Sequence, residues 1–327
     1  MRRYFLYALL LIGVNSVYAQ QLDSIPGRPG VSFRGLSVVN NRLFWLSGTR
    51  GTVGRSTDGG KHIQWLPVKG YENRDFRDIE AFDAVTAVIM AIDSPGLILR
   101  TYDGGASWQE VYRDDHSGVF LDAMSFRKGR GMAVGDPING RFYLVGTHDA
   151  GRSWQRLQSP MPAPDSGEGC FASSGTNIVQ LKKGGFAFVT GGPSSRVWNG
   201  TDMQKLPLME GRSSTGANSL AVHGKRWIVA GGDFTRDTAA HQHILVSNNR
   251  GHTWFVPEQP TTGYRSCVTA ISKRKWIACG TSGVDVSTDG GNTWKNIGLT
   301  GYHVVQRARR GKAVYLAGNG RMAKLRW

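Results

Sequence analysis

The chain has 327 residues, with 44 glycines, 10 tryptophans and 3 cysteines. Such a length is large for a single core and normal for radially repeated modules. No cysteine spacing fits a zinc site or a redox dithiol, and a formal charge of +16 favours acidic partners or surfaces.

Residues 1–19 read as a signal peptide. Arg2 and Arg3 form the basic start, and residues 4–14 an apolar run too short to span a bilayer. Val17-Tyr18-Ala19 supplies small residues for cleavage after Ala19. No Cys follows, which argues against a lipid anchor. The expected location is the periplasm or outside the cell. The mature chain keeps 38 Lys plus Arg against 24 Asp plus Glu, a net of +14. No later apolar stretch is long enough for a membrane span. Without a basic helix or an RNA-binding signature, nucleic acid is not an expected partner.

Beyond the leader, one turn motif recurs: Ser/Thr-x-Asp-x-Gly-x-x-Trp. Full copies begin at Thr101, Thr147 and Ser287. The copy at Ser56 has Ile63 in the Trp position, and the copy at Ser247 has Asn249 for Asp. Asp or Asn pins such a turn by bonding nearby amides, Gly supplies a positive φ, and Trp leaves on the returning strand with a large face to bury. Asp58, Asp103, Asp149, Asn249 and Asp289 are therefore structural. The steps between copies are 45, 46, 100 and 40 residues. The long step is two periods, and 196–202 stands where the missing copy belongs. A second marker, an aromatic before a short apolar run, opens the units at Phe33, Phe76, Phe120, Phe171, Tyr264 and Tyr302, with 216–220 filling the remaining gap.

That makes seven units. Within them, residues 38–45, 84–92, 184–190, 226–230, 275–279 and 313–317 read as β-rich runs, and no stretch holds a helical period. The expectation is an all-β, seven-bladed β-propeller over 31–327. The last unit has room for three strands, so residues 20–30 are expected to add its outer strand and close the ring, removing a free edge.

Aligned on the opening aromatic, the next residues are Arg34, Arg77, Leu121, Ala172, Ala217, Arg265 and His303. The four basic ones belong to consecutive blades around a ring. First strands line a propeller's axis, so these four predict a positive arc at one channel mouth, with Asp78, Asp122 and Asp136 beside it. Arg grips a carboxylate with two parallel bonds. An anionic ligand or an acidic protein segment is one use of the arc; a structural network with Asp78, Glu80, Asp122 and Asp136 is the other. Cys267 and Cys279 flank a hairpin whose turn lies near Lys273. A disulfide there, which export permits, and two packed thiols are both open. Asp237, His241 and His243 share a loop, read as solvent-exposed and not as a metal site. No nucleotide motif is present, so no cofactor is expected.

The turn motif resembles the Asp-box, or bacterial neuraminidase repeat, of sialidase-type propellers. Phe76-Arg77-Asp78-Ile79, Gly135-Asp136-Pro137, residues 171–176, Gly263-Tyr264-Arg265-Ser266, residues 280–285 and Gly318-Asn319-Gly320-Arg321 resemble photosystem II stability/assembly factor-like propellers more closely. That resemblance implies an exported, monomeric scaffold that binds another protein in the envelope. The sialidase likeness implies an alternative, a glycoside hydrolase with Tyr264 and Glu80 as its chemistry, or with Asp78 and Asp122 as a carboxylate pair.

Overall fold

The computed structural model describes residues 20–158 and 161–327; the leader expected at 1–19 lies outside them. Every regular element among these residues is a β-strand. The strands form seven antiparallel sheets, six of four strands and one of three. The first strands of blades 1 to 7 are Phe33–Val38, Phe76–Ala81, Leu121–Arg127, Ile178–Gln180, Thr215–His223, Cys267–Ala270 and Val304–Arg307. Each touches the first strand of the next blade, and the seventh touches the first. The architecture is a closed seven-bladed β-propeller.

Gln21–Ile25 pairs with Met322–Arg326 as the outer strand of blade 7. Blade 5 is the three-stranded sheet, its fourth position reduced to one bridge between Val246 and Phe255. The run at 38–45 is not one strand. It crosses a hairpin, where Asn40 Oδ1 accepts from the amides of Arg42 and Leu43 at 2.8 and 2.9 Å. An Asn able to pin the turn outranks the β-propensity of its neighbours.

Period-2 alternation on strands buried on both faces lets each blade pack against two others. The core is accordingly spread over the seams. Trp45, Phe76, Ile79 and Ile89 fill the seam of blades 1 and 2, and Phe142, Phe188 and Ile178 that of blades 3 and 4. All first strands run the same way, so each blade has a mouth face, where first strands begin, and a turn face at the other end.

The repeated turns lie on the turn face. In each, the Ser or Thr hydroxyl accepts from the glycine amide four residues on, as in Thr101 from Gly105 at 2.9 Å and Ser287 from Gly291 at 2.8 Å. The Asp oxygen accepts from that hydroxyl and from a second amide four residues on, as Asp103 does from Thr101 and Ser107, both at 2.9 Å. Asp58, Asp149, Asn249 and Asp289 repeat the pattern. Gly291 has φ +93°, and a Cβ there would stand 2.5 Å from Ile228 of the preceding blade. The unit at 196–202 closes differently: Asn199 Oδ1 accepts from the amides of Thr201 and Asp202 at 3.0 and 2.9 Å.

Candidate functional site: the channel mouth

The mouth is built from a defect repeated at the start of the first strands. Phe33 pairs with Gly48 and Gly35 with Ser47, which leaves Arg34 as the extra residue of a β-bulge. Arg77, Asp122 and Asn218 are the extra residues of the same bulge in blades 2, 3 and 5. A bulge re-aims the side chain it leaves unpaired. Arg34, Arg77, Asp122 and Asn218 all line one cavity of about 430 Å³ at the mouth. His303, one residue ahead of the Val304–Ala317 pair, lines it too.

The bulge corrects the alignment by aromatics. In blades 3 and 5 the residue matching Arg34 is Asp122 or Asn218, not Leu121 or Ala217. In blade 6 the first pair is Cys267 with Cys279, so Ser266 stands immediately ahead of the ladder and Arg265 one place earlier. A shift of one residue sends a strand side chain to the other face. Arg265 is therefore not part of the arc. It is fully buried, ion-paired with Asp285, and donates to Tyr264 O at 2.7 Å, Ser282 Oγ at 3.0 Å and Thr262 Oγ1 at 2.6 Å. Three of the four basic residues remain: Arg34, Arg77 and His303.

Blade 4 supplies the floor. Its first strand holds three residues against nine in blade 5. The chain just before it, 171–177, crosses the axis instead of extending the ladder. Arg34 donates to Ser173 O at 3.1 Å and Arg77 to Ala172 O at 3.4 Å. Ser174 Oγ donates to Ser266 O in blade 6 at 2.7 Å, and Thr176 Oγ1 meets Ser219 Oγ in blade 5 at 2.7 Å. Gly175 has φ +64° and lies against Asp78, where a Cβ would come within 2.4 Å of a carboxylate oxygen. Glycine is the side chain that fits.

The electrostatics are divided. Burial, and then the Arg77 cation, bring the Arg34 guanidinium down to about 10, so it stays charged at neutral pH. Among the described residues Arg34 has no salt bridge, and the one acid within ion-pair distance of Arg77 is Asp75 at 3.8 Å. Burial, then Arg34 and Arg77, hold His303 at about 3, which leaves its ring neutral; its Nδ1 has no hydrogen-bond partner. Across the cavity, burial pushes the Asp122 carboxyl well up, with Asp136 adding to the effect and Arg77 opposing it. Neither Asp122 oxygen makes a hydrogen bond of good geometry, although the Ala172 and Asp136 amides lie close enough to hold the carboxyl partly down. Asp136 is also raised by burial, and accepts from the Cys170 amide at 2.9 Å.

The remaining expected site residues lie elsewhere. Asp78 does not line the cavity: its oxygens accept from the amides of Ile79 and Met124, both at 2.7 Å, and stitch blade 2 to blade 3. Glu80 sits toward the turn face, paired with Arg309 at 2.5 Å and accepting from Ser37 Oγ at 3.2 Å. Tyr264 lines the mouth, but it is 3% exposed and donates to Asn218 Oδ1 at 3.0 Å. Cys267 and Cys279 face each other in register as free, buried thiols. Cys267 Sγ lies 3.4 Å from both the amide nitrogen and the carbonyl oxygen of Val305, which anchors it without a disulfide. The 237–243 loop is not solvated throughout. His243 is buried and bonded to Thr261, and Asp237 accepts from Thr281 Oγ1 at 2.7 Å. No group of three His, Cys, Asp or Glu side chains among the described residues is placed to hold a metal ion.

Two contributors escaped the sequence. Phe234 is 47% exposed and stands edge-on to Phe171 and Tyr264, with ring centres 5.8 and 6.4 Å away, giving the cavity an aromatic rim. Asn218 was hidden because blade 5 has no aromatic to align on. Counting from the glycine pair Gly231-Gly232, which faces Ala217 and Gly216 across the ladder, would have found it.

No protein-family model matches the chain, and no curated protein does. The fold belongs to the seven-bladed propellers. It is similar to YCF48 bound to a D1 peptide, at 16% identity and a TM-score of 0.66, covering 93% of this chain and 94% of that one. YCF48 from Cyanidioschyzon merolae aligns at 16% identity and 0.60, over 94% and 98%. A GH74 xyloglucanase from Xanthomonas campestris aligns at 13% and 0.59, over 93% of this chain and 53% of that one. No helix among the described residues is long and apolar enough to cross a membrane.

Proposed function

We propose that the chain is an exported, non-catalytic propeller that holds an acidic peptide segment of a partner protein at the mouth. The observation that carries this reading is the Arg34–Arg77 pair, two guanidiniums in one cavity without a carboxylate in hydrogen-bond reach. A ligand carboxylate matches that fork geometry. The phenylalanine and tyrosine rim suits the apolar part of a peptide, and the cavity has room for a short end of chain. YCF48, similar in fold, is solved with a D1 peptide bound, and a peptide is the ligand class we carry over.

The test is binding of fluorescent peptides with acidic carboxyl termini to the protein and to Arg34→Glu/Arg77→Glu. Reversal is expected to cost about 2–5 kcal/mol, the usual effect of breaking a buried charge contact. Equal binding by a folded double variant sinks the reading. Export is tested separately, by whether the protein recovered from the periplasm begins at Gln20. Nothing in the positions of Asp78, Glu80 and Tyr264 favours the glycosidase. That alternative requires hydrolysis of sialosides or xyloglucan that Asp122→Asn abolishes.

A further inference from the structure

The net charge is concentrated at the turn face, opposite the mouth. Each blade turns there from its first strand to its second. Six of these seven turns carry Lys or Arg, and the one acid among them is Asp83 of blade 2. Lys182 and Lys183 in blade 4, Lys273 and Arg274 in blade 6, and Arg310 and Lys312 in blade 7 are all exposed, and none is in a salt bridge. The turn aspartates share this face, but their oxygens accept bonds from their own turns. Between blades 5 and 6 the face dips into a recess of about 480 Å³ lined by Lys225, Arg226, Lys273 and Arg274, with Asp289 as its acid.

We propose that this face docks on an anionic lipid bilayer. The basic turns end six of the seven first strands, so they form a ring, open only at blade 2, at one end of the molecule, the shape that meets a flat surface. Protein interfaces have apolar, aromatic centres. Here the exposed large apolar side chains are Val85 and Tyr102 in blade 2, away from the basic sector, and the pair Phe255–Val256, which leaves the blade 5 turn along the outer edge and forms no central patch. Single-stranded nucleic acid is held by stacked aromatics in a groove, which this face lacks. Basic side chains near an anionic leaflet each add to attraction within a Debye length, and the recess between blades 5 and 6 suits a phosphate headgroup. The amino-terminal strand starts on the same face. Gln21 pairs with Arg326, at the turn-face end of its sheet, and the neighbouring Trp327 lies under Lys275 of a basic turn, 4.5 Å from Nζ to the ring centre. The chain from Gln20 onward thus begins at the basic face.

The test is co-sedimentation of the chain from Gln20 onward, which holds all seven blades, with vesicles of phosphatidylcholine alone or with one-third phosphatidylglycerol. Binding is expected only to the anionic vesicles and is expected to vanish between about 0.1 and 0.5 M salt. Lys273→Glu/Arg274→Glu/Arg310→Glu/Lys312→Glu should weaken it by more than about tenfold. A control with the same charge change at the mouth face, Lys69→Glu/Arg141→Glu/Arg212→Glu/Arg321→Glu, should bind within about twofold of the unmodified chain. Circular dichroism checks that both variants fold. Indifference to lipid charge, equal losses in both variants, or binding of duplex DNA at a salt concentration where vesicles are ignored each overturns the proposal.

Discussion

At the turn face one device is built five times with the same bonds in each copy; at the mouth face Arg34, Arg77, Asp122, Asn218 and His303 stand in the same place in five blades and share almost no chemistry. The turns stabilise each blade locally, so any blade benefits from the same residues. The mouth is a common space lined by residues of all seven blades. Its composition is free to vary, provided each side chain stays aimed inward, by the bulge in blades 1, 2, 3 and 5 and by the start of the ladder in blade 7.

Arg265 is where the two regimes meet, and it offers the largest expected effect. It lies beside the mouth in sequence and is fully buried against Asp285. Arg265→Met leaves that carboxylate without its cation in a dry site, at an expected cost of about 3–5 kcal/mol. Thermal unfolding measures it. A variant that melts with the unmodified protein would mean that the pair is dispensable, and would reopen a four-member arc.

The same residue shows what the sequence discloses. The repeat period and turn chemistry give seven blades because Asp, Gly and Trp at fixed offsets have one local solution. The opening aromatic also marks where the ladder starts beside Arg34 and Arg77, each the extra residue of a bulge directly after it, and beside His303, which stands just ahead of the first pair of blade 7. Arg265 falls outside the arc because in blade 6 the ladder starts without a bulge at Cys267, two residues beyond it, and nothing local to Gly263-Tyr264-Arg265-Ser266 marks that register; the Cys267–Cys279 pairing across the sheet sets it. The floor at 171–177 is less legible still. Its partners lie in blades 1, 2, 5 and 6, up to 139 residues away.

A smaller effect tests whether the turns are interchangeable. Asp289 accepts from Ser287 Oγ at 2.8 Å, from the Asn292 and Thr293 amides at 3.0 Å and from Thr293 Oγ1 at 2.6 Å. Asp289→Ala leaves those donors short of a partner and should cost about 1–3 kcal/mol. Asp289→Asn should be almost neutral. Asn249 already does the same work, accepting from the Thr253 amide and donating its own amide to Thr253 Oγ1, both at 2.9 Å. A heavy penalty for Asn would show that the carboxylate charge, and not the bond pattern, holds the turn. Acid separates the two as well. Bonds from the Ser107 hydroxyl and amide hold Asp103 at about 2. A lowered pKa gives stability that is present above the unfolded value and lost as pH falls through the folded one, so the carboxylate turns weaken between about pH 4 and 2. The Asn249 turn does not titrate there.

The smallest effect has the opposite sign. Asp122 is fully buried at the mouth with neither oxygen in a hydrogen bond of good geometry, whereas the turn aspartates have every oxygen occupied. Burial raises its pKa, with the nearby Asp136 adding to the rise. A raised group lends stability that is complete below its unfolded pKa and is lost as pH climbs through its folded value. Asp122→Asn removes that loss. The variant should melt with the unmodified protein near pH 4 and above it by a few degrees at neutral pH, a gain of about 1 kcal/mol. The gap should widen as pH rises. If a carboxylate is tolerated here at a cost in stability, its reason lies in what occupies the mouth. Peptide binding by Asp122→Asn should then change although the fold is firmer, and an unchanged affinity would assign Asp122 to the wall and leave Arg34 and Arg77 as the recognition pair.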